Sequence, residues 1–217
     1  MPRTIDAVVF DLGGVLIDWN PRYLYRSIFV DDEDGMERFL SEVTTADWNA
    51  EQDAGRSWRD AVDVLVAQHP DRRDLIVAYH ERWADMLGGP IEGTVAVLDE
   101  LRLAGIRVAA LSNWSAETFP IAQERYAFLG WFETIVVSGA VGLVKPDLRI
   151  YHHLLDVTGF SPASTVFVDD APANVAAAEQ LGMTGLQFHD PETLRRDLRD
   201  LGLPIGPTRA GSLRAPR

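Results

Sequence analysis

Four short clusters in this chain carry residue types that do chemistry: Asp11, Ser112-Asn113, Lys145 and Asp169-Asp170. Asp11 closes an apolar run over residues 7–10, and Gly13-Gly14 follows one residue later. An acid in that position either attacks an electrophile or caps the next turn. The glycines let the backbone turn sharply and come close to a ligand. If Asp11, Asp169 and Asp170 meet, their repulsion raises a pKa or holds one carboxyl neutral unless a cation intervenes. Mg²⁺ suits such a place, since it takes oxygen ligands and commonly uses one or two carboxylates plus a phosphate oxygen. Lys145 adds a compact positive charge, and it is the single lysine among 20 basic residues. Every other cation is an arginine, so a planar fork is avoided at this one position. The Ser112 hydroxyl and Asn113 amide supply neutral donors. Charge neutralisation with hydrogen bonds is what a transferring phosphoryl group requires. Asp11 can then attack phosphorus and form an aspartyl-phosphate.

Taken singly, each cluster also has an ordinary reading: a Ser-Asn pair makes turns, and an Asp pair sits in solvated loops. Their placement on the predicted elements is what draws them together. The run at 7–10 has the character of a strand buried on both faces. Residues 106–111, 134–137, 165–168 and 184–188 read as four further strands. Helical spacing separates them, and Gly105 and Gly182 close two of the intervening helices. Alternation of this kind predicts an α/β fold with a doubly wound, mostly parallel five-stranded sheet. Asp11, Ser112-Asn113 and Asp169-Asp170 then stand at the carboxyl ends of strands, with Lys145 just beyond the third. Open α/β sheets bind ligands at that edge. Between the first two strands the pattern changes: Leu24 and Ile28, then Met36, Phe39, Leu40 and Val43, then Leu75, Tyr79 and Trp83 follow helical spacing. Ser57 and Asp60 form a capping signal. Residues 18–88 are therefore expected to be a helical lobe inserted into a core of 1–17 and 89–203, with Gly88-Gly89-Pro90 as a return hinge. A Pro-, Gly- and Arg-rich tail, 204–217, is expected to be loose.

Composition narrows the function. The formal charge of −13 argues against a nucleic-acid partner, and 47% hydrophobic residues suffice for a substantial core. The chain has no cysteine, which excludes disulfides and thiolate chemistry. No apolar run is long enough to span a bilayer. The expectation is a cytoplasmic protein acting on a small molecule, without a membrane or nucleic-acid partner, as a monomer or homodimer.

In this order and spacing, Asp11-Leu12-Gly13-Gly14-Val15, Leu111-Ser112-Asn113, Lys145-Pro146-Asp147 and Phe167-Val168-Asp169-Asp170, with Asn174 beyond, resemble the four motifs of the haloacid dehalogenase superfamily. The likeness spans about residues 5–203. It implies a sheet order of 5-4-1-2-3, counting core strands along the chain, and a helical cap after the first strand. It implies Asp11 as nucleophile, Lys145 as charge stabiliser, and Ser112 and Asn113 as ligands of the transferring group. Mg²⁺ would be held by Asp11, the Gly13 carbonyl and Asp170, with Asp169 in support. Asp18, Trp48, Trp114 and Asn174 are expected to contact substrate.

One position departs from the pattern. Most phosphatases of the superfamily carry a second Asp two residues after the nucleophile, as general acid and base, and here that residue is Gly13. Three readings follow. The leaving group needs little protonation, as in an anomeric sugar phosphate; the chain resembles the α-D-glucose-1-phosphate phosphatase-like branch, which also has Gly there. Alternatively another acid substitutes, with Asp18 as the first choice and a helix cap as its plainer role. Or the enzyme is a metal-free 2-haloacid dehalogenase, with Tyr151 matching that group's tyrosine. Asp169-Asp170 favours the metal-dependent phosphatase over the dehalogenase. A catalytically silent phospholigand-binding protein is the reading from outside enzymology. Within the cap, Trp48-Asn49, Gln52-Asp53 and Arg56 form a polar-aromatic stretch that faces either the site or the cap core, and Arg22 and Arg26 either bind an anion or are solvated.

Overall fold

The computed structural model describes residues 5–206. Seven strands occur there: β1 (Ala7–Phe10), β2 (Ile17–Trp19), β3 (Leu87–Pro90), β4 (Arg107–Ser112), β5 (Thr134–Val137), β6 (Thr165–Asp169) and β7 (Thr184–Gln187). Five of them form one parallel sheet in the order β5-β4-β1-β6-β7. Successive side chains of a strand point to opposite faces. Val8 and Phe10 of β1 accordingly join one core cluster with Val108, Ala110, Val166 and Val168. Ala7 and Val9 join the other with Ala109, Leu111 and Phe167. The first face is covered by α6 (Glu92–Leu103) and α11 (Pro191–Asp200), through Val97, Leu98, Leu101, Leu194 and Leu198. The second is covered by α9 (Leu148–Thr158) and α10 (Pro172–Gln180), through Ile150, Tyr151, Leu154, Ala177 and Ala178. Being sandwiched, β1 has all four residues buried, as its unbroken apolar run requires.

The register carries the fold to the site. Phe10 stands opposite Ala110 on one side and Val168 on the other. The next residue of each strand is therefore Asp11, Leu111 and Asp169, all at the carboxyl edge. The Asp11 backbone N–H still donates to the Val168 carbonyl, at 2.8 Å, so the nucleophile position is pinned by the sheet itself.

Residues between β2 and β3 are helical: α1 (Pro21–Arg26), α2 (Glu33–Glu42), α3 (Ala46–Asp53), α4 (Trp58–Gln68) and α5 (Arg73–Glu81). Short polar residues start them. Asn20, Asp32, Thr45 and Ser57 each accept a backbone N–H of the first turn, Ser57 from Asp60 at 3.1 Å. Tyr25, Trp48, Trp58 and Tyr79 pack at the centre of this layer, with Trp48 edge-on to both Trp58 and Tyr79. Residues 87–90 form β3, which pairs antiparallel with β2 and brings both chain crossings into one ribbon. The chain is not loose from Pro204: Ile205 is buried and Gly206 bonds to Glu100 and Arg195. Residues 207–217 of the expected tail lie outside the described residues. No helix among the described residues is long and apolar enough to cross a membrane.

Candidate active site

Lys145 is the centre of charge. Its side chain is 1% exposed, and Nζ lies 2.9 Å from Asp11 Oδ1 and 2.6 Å from Asp169 Oδ2. Burial alone would lower its pKa, but the two carboxylates outweigh that and raise it, so the ammonium is retained. Asp169 is fully buried and fully engaged. Besides the lysine it accepts from Ala171 N at 2.9 Å and from Asn174 Nδ2 at 2.9 and 3.1 Å. Asp11 is bonded on one oxygen: Lys145 and the Leu12 N–H, 2.7 Å away, both approach Oδ1, and Oδ2 carries neither. That free oxygen can attack or ligate. Burial first, offset by Lys145 and reinforced by Asp169, pushes the Asp11 carboxyl up to about 6.

Asp11, Asp169 and Asp170 each offer a carboxylate oxygen, the three lying within 4.8 Å of one another. The Asp170 carboxyl is also raised, by burial and then by Asp169. One lysine does not relieve three clustered acids. Unused oxygens on Asp11 and Asp170 beside a saturated Asp169 suit a hard dication, with Asp169 as its support rather than a ligand. Backbone approach is close here. Gly14 has φ +74°, and a Cβ on it would stand 2.9 Å from Asp170 Oδ2. Gly13, by contrast, has open space where a side chain would be.

A cavity of about 100 Å³ is lined at the sheet edge by Gly13 and Asn113, close in the chain to Asp11 and Ser112. Trp19, Trp83 and Trp114 supply its apolar walls. Asn49, Asp53 and Thr118 supply its polar ones. The Trp19 and Trp114 Nε1 atoms and the Thr118 hydroxyl are buried without a hydrogen-bond partner, as is the Ser112 hydroxyl. Such atoms are costly unless something bonds them.

Several expected residues sit elsewhere in the chemistry. Asn113 reaches the cavity edge, but its amide is spent on Lys145, accepting from Lys145 N at 2.8 Å and donating to Lys145 O at 3.0 Å. Asp18 accepts from the Tyr23 hydroxyl at 2.6 Å on an exposed stretch of β2, and it does not line the cavity. The pairing of β2 with β3 shifts register between Asp18 and Trp19, and Trp19 lines the cavity instead. Trp48 is drawn into the aromatic layer by its neighbours Trp58 and Tyr79. Asn174 faces Asp169 rather than the cavity, because both oxygens of that buried carboxylate take its amide. Trp114 does line the cavity. Tyr151 is buried, and its hydroxyl donates to the Asn174 carbonyl at 2.9 Å. Arg22 and Arg26 pair with Glu37 and Glu33. Trp19, Trp83 and Thr118 were not foreseen. Trp83, four residues after Tyr79, carried the only advance signal, and it read as core.

Comparison with known proteins follows the same line. The profile described as haloacid dehalogenase-like hydrolase matches residues 5–182. The sesquiterpene phosphatase astK of Aspergillus oryzae is 30% identical over 93% of this chain and 98% of its own length. A Bacteroides thetaiotaomicron enzyme of the same family, solved with magnesium and inorganic phosphate, superposes with a TM-score of 0.65. It is 21% identical, over 86% of this chain and 95% of that one. The L-2-haloacid dehalogenase of Xanthobacter autotrophicus gives 0.59 at 21% identity, over 94% and 85% of the two chains. At those identities the structures show a shared fold. With the profile covering most of the chain, the protein belongs to the haloacid dehalogenase-like hydrolases and is an enzyme of that hydrolytic class.

Proposed function

We propose that this enzyme is a Mg²⁺-dependent phosphomonoester hydrolase of the cytoplasm, acting on a small phosphorylated metabolite through an aspartyl-phosphate on Asp11. The observation that carries this reading is the arrangement of Asp11: one oxygen held by Lys145, the other free beside Asp170. The Asp11 carboxylate attacks phosphorus through one oxygen, and Lys145 offsets its charge. The Ser112 hydroxyl, unpartnered at the strand end, donates to a phosphoryl oxygen. Asn113 acts through Lys145, whose backbone it clamps. Asp11 and Asp170 would hold Mg²⁺, with the Gly13 carbonyl as the third protein ligand implied by the family's motif. When bound, the ion supplies charge neutralisation at the transferring phosphoryl group.

The three tryptophans suit a substrate with an apolar body, either the carbon face of a sugar ring or an isoprenoid skeleton. The phosphatase relative named for sesquiterpenes supports the second. The dehalogenase reading finds less support. Asp169-Asp170 suits a cation, and the Tyr151 hydroxyl is turned to helix backbone. Phosphate release from a panel of sugar phosphates and prenyl monophosphates, with Mg²⁺ and with EDTA, tests the proposal. Turnover of at least one ester that chelation abolishes is expected. Activity indifferent to chelation, or halide release from L-2-chloropropionate, would overturn it.

A further inference from the structure

An alkyl phosphate leaves as an alkoxide, which is far too basic to depart at neutral pH without a proton. The cluster around Asp11 has no proton to give. Lys145 is locked between two carboxylates, Asp169 is saturated, and Gly13 has no side chain. The cavity does hold one further acid. Of the residues that line it, Asp53 alone carries a carboxyl, at the last turn of α3. Gly13, two residues after Asp11, and Asn113 line the same cavity, so cap and core residues share one space with this acid on its wall.

We infer that the Asp53 carboxyl is the general acid and base of the Asp11 reaction. This rests on the phosphomonoester reading above. In the first half, the Asp11 oxygen–phosphorus bond forms as the ester oxygen–phosphorus bond breaks. The Asp53 proton passes to the leaving oxygen, giving an alcohol, an aspartyl-phosphate and an Asp53 carboxylate. In the second half, that carboxylate takes a proton from water as the water oxygen bonds phosphorus and the Asp11 bond breaks. Phosphate leaves, and both acids return to their starting state.

The surroundings of Asp53 support the role. Asn49 Nδ2 donates to its Oδ2 at 3.1 Å, and the Ser115 backbone N–H acts on the carboxylate from the core. Tyr79 stands behind, its hydroxyl donating to Asn49 Oδ1 at 3.3 Å. The Ser138 hydroxyl takes the Asp53 carbonyl, which anchors the helix end to the core. Asp11 is the charged group acting on it from the sheet edge. Among the described residues no cation pairs with Asp53, and the nearby Arg56 is held by Glu51, Gln52 and the Trp48 carbonyl. Burial, eased by the Ser115 N–H and reinforced by Asp11, pushes its carboxyl up to about 7. An acid poised there can both give and take a proton near neutrality.

The test compares Asp53→Asn with the unaltered enzyme on two esters, an alkyl phosphate and 2,4-dinitrophenyl phosphate, whose phenolate leaves without a proton. Loss of about 10²–10⁴-fold in kcat is expected for the alkyl ester. With the dinitrophenyl ester, the burst of phenolate should stay within about tenfold, followed by slow turnover as the aspartyl-phosphate persists. Asp53→Glu, which keeps a carboxyl, should recover part of the alkyl activity. Equal loss in both burst phases, or no loss with the alkyl ester, would overturn the role of Asp53 and leave the hydrolase reading standing. An unaltered enzyme that turns over neither ester would overturn both.

Discussion

The side-chain amide of Asn113 clamps the backbone of Lys145, accepting from its N–H at 2.8 Å and donating to its carbonyl at 3.0 Å. The two residues are 32 positions apart, and the clamp fixes where the buried ammonium enters the site. Asn113→Ala should cost about 1–3 kcal/mol of stability, since it leaves two backbone groups of Lys145 without partners. It should also lower kcat more than it raises KM, because the lysine loses its aim while the cavity walls stay. Denaturant melts alongside steady-state kinetics check both. A purely KM effect would mean that Asn113 works on the substrate directly.

Lys145 separates two carboxylates that are otherwise unpaired in the interior. Lys145→Met should destabilise the fold by about 3–5 kcal/mol at neutral pH and abolish turnover, because removing one partner strands buried charge. Part of that stability should return in acid, where Asp11 takes a proton. Urea midpoints at pH 5 and pH 8 make the comparison, and an equal deficit at both would argue that the lysine acts by packing.

Gly14 sits at φ +74°, and a Cβ on it would stand 2.9 Å from Asp170 Oδ2. Gly14→Ala should cost about 1–2 kcal/mol from the left-handed backbone alone. It should also push the Asp170 carboxylate away from its place. The specific readout is the Mg²⁺-induced rise in Tm, which should shrink well beyond the loss expected from backbone strain. Asp170→Asn should remove the same rise without a comparable fall in the metal-free Tm.

Asp53 links the cap to pH. Burial pushes its carboxyl up to about 7 in the folded protein from an ordinary 3.8, so between these pH values the folded state binds the extra proton. Its contribution to stability is therefore complete at low pH and is lost as pH rises towards 7. Asp53→Asn, which cannot ionise, should gain stability relative to the unaltered enzyme as pH rises from about 4 to about 7, at up to about 1.4 kcal/mol per pH unit, and level off above. Parallel stability curves would show that the Asp53 charge is not buried.

Much of the site was legible because strand ends are written locally. An apolar run that stops at Asp11, and another that stops at Asp169-Asp170, announce both the strand and the acid beyond it. Parallel pairing then brings those ends to one edge whatever the helices between them do. Lys145 was conspicuous by composition alone. Side-chain partners were harder to read. Asp18 and Asp53 are both acids flanked by polar or aromatic residues in the expected cap, and nothing local separates them. The ribbon of β2 with β3 turned Trp19 inward and left Asp18 to Tyr23. The packing of α3 on the core brought Asp53 to the cavity.

What the amino-acid order determined by itself is the alternating α/β core, the carboxyl-edge position of Asp11 and its acidic companions, and the helical character of the inserted segment. Each follows from periodicities and termini that act over a few residues. Tertiary structure alone decided which tryptophans wall the cavity, that Asn113 clamps Lys145, and that Asp53 rather than Asp18 lines the cavity. Those outcomes depend on which faces of distant elements meet, and contact across tens of residues leaves no period in the chain.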